Sequence, residues 1–315
     1  MITQSIKSRL VFILIIAMIN LYFFSAGIFA QKRKIPESGE IELSSPVRIS
    51  FTNKNFLIVS DYNLEMIIKV KIKENKIIGG FPVDGKPLGL AFAQGFIYVG
   101  NETNGCVDVY TLNGKYMRSI GGNHSIRKPN DIAVDTKTKQ VFVVDTIDKA
   151  VKIYTFKGKL KGTISASYPD FNMLSNPTAI TVDPVNKEIY VSDYGDVNLG
   201  IKAKVQIFDY SGNLIKTISG TSKSGMMGTT YRFSRPQGLA VDQSGHVFVV
   251  DSYSGQVYVY DRISTTYLFS IGTYGTEPGQ LKLPLDIAID DPTKDIYIVN
   301  SQMKRIEVFR GESIW

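Results

Sequence analysis

One short pattern returns six times between Pro46 and the carboxyl terminus, and it limits the fold more than any other feature of the 315 residues. The copies are Pro46-Val-Arg-Ile-Ser-Phe51, Pro87-Leu-Gly-Leu-Ala-Phe92, Pro129-Asn-Asp-Ile-Ala-Val134, Pro177-Thr-Ala-Ile-Thr-Val182, Pro236-Gln-Gly-Leu-Ala-Val241 and Pro284-Leu-Asp-Ile-Ala-Ile289. Each is followed by an apolar run that ends in an acid or its amide, at Asp61, Asn101, Asp145, Asp193, Asp251 and Asn300. The prolines are 41, 42, 48, 59 and 48 residues apart and the run ends 40, 44, 48, 58 and 49. Two markers that drift together define a repeated structural unit.

Within each unit the runs are short and alternate with period two, as half-buried strands do. A third strand follows, as at Val107–Tyr110, Val151–Tyr154 and Val257–Tyr260, and a fourth runs up to a glycine at Gly121, Gly220 and Gly272. Four strands per unit of 40–60 residues predict an all-β chain, a six-bladed β-propeller of four-stranded antiparallel blades. The mid-position of every first strand is small (Ser50, Ala91, Ala133, Thr181, Ala240, Ala288), which places that strand innermost, where blades converge. The proline before it lacks a donor and suits a strand entrance. The sixth unit has three convincing strands, so the short run Gly39–Leu43 is expected to supply its fourth and close the ring. The resulting division is a leader at 1–30, a basic linker and closing strand at 31–45, and the propeller at 46–315.

The pattern Pro-x-Gly/Asp-Ile/Leu-Ala-Val-Asp, with its following strands, resembles the NHL repeat family. The resemblance covers about residues 46–310, is clearest at Pro129–Tyr154 and Pro236–Tyr260, and is weakest at Arg48–Val70. It implies a six-bladed propeller and no single function. Family members include scaffolds, RNA-binding modules, exported proteins and a copper- and zinc-dependent lyase. A lyase of that type needs several histidines, and this chain has two, His124 and His246.

Lys7 and Arg9 precede an apolar stretch from Leu10 to Phe24, and small residues lead to Ala30. This is the layout of a cleaved export signal; as an uncleaved segment, residues 10–30 are about long enough to tether the chain to a membrane. In either case the body is expected outside the cytoplasm, whether periplasmic, extracellular or at the surface. The formal charge of +7 falls to +2 once Lys7, Arg9, Lys32, Arg33 and Lys34 are set aside, so no nucleic-acid partner is expected. A single cysteine excludes an internal disulfide and paired-Cys zinc sites.

No nucleophile elbow, phosphate loop or paired-Cys motif appears, which points to binding rather than catalysis, without a cofactor. The fourth unit carries the longest insertions, 194–204 and 219–235, both on the face where first strands begin. Tyr194, Asp196, Asn198, Met226, Met227 and Tyr231 are therefore candidates for contacting a protein or extracellular polymer, with Tyr62, Tyr253 and Arg235 nearby. Lys86, Arg127, Lys128 and Lys282 complete a basic collar around the strand entrances, and Tyr274 could add contact area. The alternative is a calcium-dependent hydrolase or lactonase with a metal in the channel at Asp131 and Asp286. These two carboxylates belong to a ring with Arg48, Gly89, Ala179 and Gly238, expected at a solvated channel mouth with the carboxylates bonded to neighbouring backbone donors. The recurrent Asp61, Asp145, Asp193 and Asp251 are expected to cap turns, with Asn101 and Asn300 as equivalents. Cys106 is expected to be a buried apolar residue, and His124 and His246 to be exposed loop residues.

Overall fold

A computed structural model describes residues 42–52, 56–72, 74–122, 124–165, 174–224 and 228–314, with backbone alone at 221–231 and 313. Six antiparallel sheets follow one another along the chain, each meandering outward from its first strand. The inner strands are Pro46–Phe51, Pro87–Ala93, Pro129–Asp135, Pro177–Asp183, Pro236–Val241 and Pro284–Asp290. Each packs against the next, and the first packs against the sixth, so the ring is closed by inner-strand contact. Blades 1–5 have four strands; blade 6 has three among the described residues, ending with Arg305–Phe309. Gly39–Ile41, most of the expected closing strand, lie outside the described residues, as do the leader and Met226 and Met227. Leu43, the last residue of that run, is buried among Val299, Tyr297 and Ile306 of blade 6 and Ile49 of blade 1. Among the described residues no helix is long and apolar enough to cross a membrane.

The second strands depart from the half-buried expectation. Val141 to Val144 are all fully buried, and so are Val247, Val249 and Val250 in blade 5. The cause is that the core is not one body but six, each wedged between neighbouring blades. Val59 of blade 1 faces blade 6, whereas Ile58 beside it faces blade 2. A sheet covered on both faces calls for a continuous apolar run, even when it is antiparallel. Because every core is shared by two blades, no blade buries its apolar surface alone.

The ends of the second strands hold the ring's turns as expected. Asp251, fully buried, accepts the backbone N–H groups of Ser234, Arg235, Tyr253 and Ser254. Asp145 accepts those of Arg127, Lys128 and Asp148, and Asp193 those of Ser175, Asn176 and Gly195. Asn300 does half of the same work with its oxygen, accepting from Lys282, while its amide donates to the carbonyl of Gln280. One side chain thereby ties the loop entering a blade to the loop leaving its second strand.

Inner strands converge so closely that some positions have no room for a side chain. A Cβ at Gly238 would lie 2.7 Å from Cα of Asp286 and 2.8 Å from the carbonyl oxygen of Leu285; at Gly89 it would lie 2.9 Å from Cα of Asp131. Backbone cannot retreat there without parting two blades. Gly238→Ala is expected to lower the unfolding free energy by about 1–3 kcal/mol, the usual cost of overpacking. Chemical denaturation of the variant beside the parent protein checks it.

Candidate functional site

The six residues at the entrances of the inner strands form the most unusual group in the protein. Arg48 of blade 1 is 1% exposed and reaches across the axis. Its Nε donates to the carbonyl of Asn130 in blade 3, one terminal nitrogen to those of Gln237 and Leu285 in blades 5 and 6, and the other to Thr178 in blade 4. The same group stands 3.5 Å from a carboxylate oxygen of Asp131 and 3.5 Å from one of Asp286. One side chain therefore links four other blades. The equivalent position opposite it, in blade 4, is Ala179, small and fully buried.

This arrangement has an approximate twofold logic. Gly89 and Gly238 each leave space for the aspartate of the following blade. Each aspartate then bonds the blade after its own: Asp131 accepts from the N–H of Ile180, and Asp286 from that of Ile49. Blades 2 and 3 thus repeat in blades 5 and 6, and the symmetry breaks only at Arg48 and Ala179.

The expected backbone donors to the two carboxylates are present, but the expected solvation is corrected by this geometry. Asp131 and Asp286 are 5% and 6% exposed, and their donors are backbone amides and a buried guanidinium. Burial pushes both carboxyls above the usual carboxylate range, against the opposing pull of Arg48; Asp286 rises to about 7. One guanidinium can neutralise only one of two carboxylates, so the trio favours holding a proton. Calcium asks for six to eight oxygen ligands. The two carboxylates already face a fixed cation, and that set does not fit a calcium cage. Beyond them, toward the far ends of the inner strands, lies a cavity of about 270 Å³ lined by all six blades.

On the face of the strand entrances, the 194–204 insertion is an ordered loop. Asp196 is a cap: one of its carboxylate oxygens accepts from the N–H groups of Asn198 and Leu199, opening a single 3₁₀ turn at Val197–Leu199. Asn198 is exposed and serves that turn through its backbone. The turn instead presents two residues absent from the sequence candidates, Val197 at 92% and Leu199 at 70% exposure. An apolar pair between polar loop residues was the available signal. Tyr194 contributes its ring to a cluster with Arg235, whose guanidinium lies 5.4 Å from it and 5.2 Å from the ring of Tyr253. Arg235 also donates to the hydroxyl of Tyr253 at 2.8 Å. Next to this cluster, Tyr194, Val197, Ile201, Ala203 and Phe233 line a depression of about 240 Å³. The second insertion is a hairpin of Thr221–Ser224 with Gly228–Tyr231, so Tyr231 falls on a strand.

Tyr62 lies apart from this cluster. Its hydroxyl donates to Glu102, its ring lies 5.2 Å from the Lys86 ammonium, and Lys86 and Lys128 are paired with Glu65 and Glu102. With Arg127 opposite Asp148, that side of the collar is a belt of compensated charge. His246 is corrected from an exposed loop residue: it opens the second strand of blade 5 and bonds Asp242 at 3.0 Å. Cys106 is buried, its thiol pushed up to about 12 by burial first and Asp108 second, and is no nucleophile at neutral pH.

The NHL repeat matches residues 233–260, which span the end of the hairpin loop and three strands of blade 5. NHL repeat-containing protein 3 of Mus musculus is 22% identical over 182 residues, covering 56% of this chain and 50% of that protein. Its Homo sapiens counterpart is 23% identical over 125 residues, covering 39% and 35%. The chain therefore aligns with half or less of the curated relatives it matches. Among solved structures, Kuenenia stuttgartiensis hydrazine synthase superposes with a TM-score of 0.62 at 14% identity, covering 90% of this chain and 99% of that one. Virginiamycin B lyase from Staphylococcus aureus gives 0.57 at 15% identity, covering 85% and 86%. A Bacteroides thetaiotaomicron protein of unknown function gives 0.65 at 17%, covering 88% and 72%. At such identities the superpositions speak for the fold alone. Six meandering blades, five of four strands and the sixth of three among the described residues, make this chain a six-bladed β-propeller, and its fifth blade carries a match to the NHL repeat.

Proposed function

We propose that this propeller is a non-enzymatic binding module that docks a protein partner on the strand-entrance face of blades 4 and 5. The observation that carries this reading is the Arg235 guanidinium, held by Tyr194 and Tyr253 beside an ordered loop that points Val197 and Leu199 outward. Tyrosine and arginine are enriched where interfaces concentrate their energy, and a loop already fixed by Asp196 loses little entropy on docking. The patch has a basic edge in Arg235 and Lys202, so the partner segment it suits carries apolar side chains next to a carboxylate. Long connections on one face of a rigid scaffold are a usual place for such sites. The leader at 1–30 supports a partner outside the cytoplasm, and cell fractionation of the tagged chain tests that placement.

The docking test is capture of partners by the full chain and by two variants. Val197→Asp/Leu199→Asp and Arg235→Ala each change exposed or edge groups and should leave the melting transition within a few degrees. Each is expected to weaken the captured complex at least tenfold, the range of an interface hot spot. A complex that binds both variants as tightly as the parent excludes this face.

A further inference from the structure

We propose that the central cavity binds a small organic cation, a primary ammonium on a short apolar chain, with its charge seated on Asp131 and Asp286. This goes beyond the docking face and stands or falls independently of it.

The cavity has two unlike ends. Its lining includes Asp131 and Asp286 and, farther along the inner strands, Ser50 and Thr181. At the far ends of the inner strands it is ringed by one apolar residue per blade, Phe51, Phe92, Val134, Val182, Val241 and Ile289, with the Asp291 carboxylate, already paired with Lys294, just beyond them. On the strand-entrance side of the two aspartates, Arg48 crosses the axis to the carbonyls of Asn130, Thr178, Gln237 and Leu285. The volume of about 270 Å³ exceeds the ~150 Å³ that accommodates benzene in an apolar protein cavity.

The charge balance at the two aspartates selects the ligand. Fully ionised, Asp131 and Asp286 exceed Arg48 by one negative charge. The guanidinium is chiefly engaged by four backbone carbonyls at 2.6 to 3.2 Å, and its carboxylate contacts are longer, at 3.5 Å. A carboxylate has about four acceptor sites. Asp131 uses them for Ile132, Ile180 and the distant Arg48, and Asp286 for Ile49, Ile287 and the distant Arg48, so each of these two cavity-lining carboxylates keeps about one acceptor site. An ammonium has three donors and one positive charge, which meets the excess. Its alkyl chain would lie along the apolar ring. A divalent ion would instead meet Arg48 with too few oxygens.

Binding must be linked to a proton. The charged groups facing Asp286 are Arg48 on the inner strand of blade 1 and Asp131 on that of blade 3. Blade 5 presents Gly238 there. Burial holds a proton on Asp286 up to about 7, and an arriving cation displaces it. Calorimetry on the full-length chain with n-butylammonium, n-butanol and calcium chloride, from about pH 5 to pH 8, tests the site. n-Butylammonium is expected to bind one to one with proton release, its affinity falling toward tenfold per pH unit below about 7, while n-butanol does not bind. Asp286→Asn should weaken n-butylammonium at least tenfold and flatten that pH profile. If this variant does not fold, the two isosteric ligands and the pH profile of the parent protein decide alone. Equal affinity for alcohol and ammonium, a flat pH profile in the parent, binding of calcium in preference to n-butylammonium, or no binding at all would each overturn the proposal.

Discussion

Arg48→Met is expected to lower the unfolding free energy by about 3–5 kcal/mol, the range for removing one partner of a buried ion pair. The variant keeps most of the side-chain volume, so the loss is electrostatic. It strands two carboxylates that are 5% and 6% exposed, and it removes donors from four carbonyls belonging to four blades. The deficit carries a pH signature of definite sign. A carboxyl raised above its unfolded value of about 3.9 binds its proton more tightly in the folded state. Its contribution to stability is full below about pH 4 and is lost as pH rises through the folded value, about 7 for Asp286. Arg48 is what pulls both groups down, so its removal costs least in acid and most above neutrality. Denaturant unfolding at about pH 5 and pH 8 measures the difference. Asp131→Asn and Asp286→Asn together, added to Arg48→Met, should recover much of the loss, because the amide oxygens still accept the N–H groups of Ile180 and Ile49. An Arg48→Met protein as stable as its parent at pH 8 would mean that the guanidinium does not hold these blades.

The architecture was open to reading because each blade repeats the same physical problem. A proline that opens the inner strand, a small residue where strands converge and a capping acid at the end of the second strand recur for local reasons, and the structure has all three. The two-faced burial of the second strands was less visible. Alternation signals one buried face, and only the closed ring shows that Ile58 and Val59 lie in different cores. The channel ring was legible, but its burial under Arg48 was not, for another reason. Arg48 stands in the weakest copy of the repeat, where its neighbours resemble the family least, and a cation amid apolar residues suggests a solvated edge. Its partners are the carbonyls of Asn130, Thr178, Gln237 and Leu285, up to 237 residues away, and carbonyls leave no mark in a sequence. The register gave the ring itself: aligned on the prolines, Arg48 falls at the position of Gly89, Asp131, Ala179, Gly238 and Asp286. A single cation in a ring of small residues and acids has only the axis to fill. On the long-loop face the Asp196 side chain caps its own turn, whereas Asn198 contributes there through its backbone N–H.

Asn101→Asp should cost about 3 kcal/mol at neutral pH, although acid is the commoner residue at this position of the repeat. The reason lies seven residues on. Where the cap is Asn, an acid follows at that distance, Asp108 after Asn101 and Glu307 after Asn300; where it is Asp145, a lysine does. In blade 2 the amide nitrogen of Asn101 donates to Asp108 at 2.7 Å, and in blade 3 the ammonium of Lys152 donates to Asp145 at 2.8 Å. Both pairs are buried, and each matches a donor to an acceptor. A carboxylate at 101 would replace that hydrogen bond by two anions in contact, and one of them would have to take a proton. Its pKa would then be raised in the folded state, so the loss should shrink as pH falls toward about 5 and grow above neutrality. Blade 3 balances oppositely: burial pulls the Asp145 carboxyl up, but Lys152 and the backbone donors hold it below the usual range, and that contribution is lost as pH falls. Transplanting the blade 3 solution, as Asn101→Asp/Asp108→Lys, should restore at least half of the stability lost by the single variant. Thermal unfolding of the single and double variants at two pH values separates this account from a simple steric one, in which the double variant would be the worse and pH would not matter.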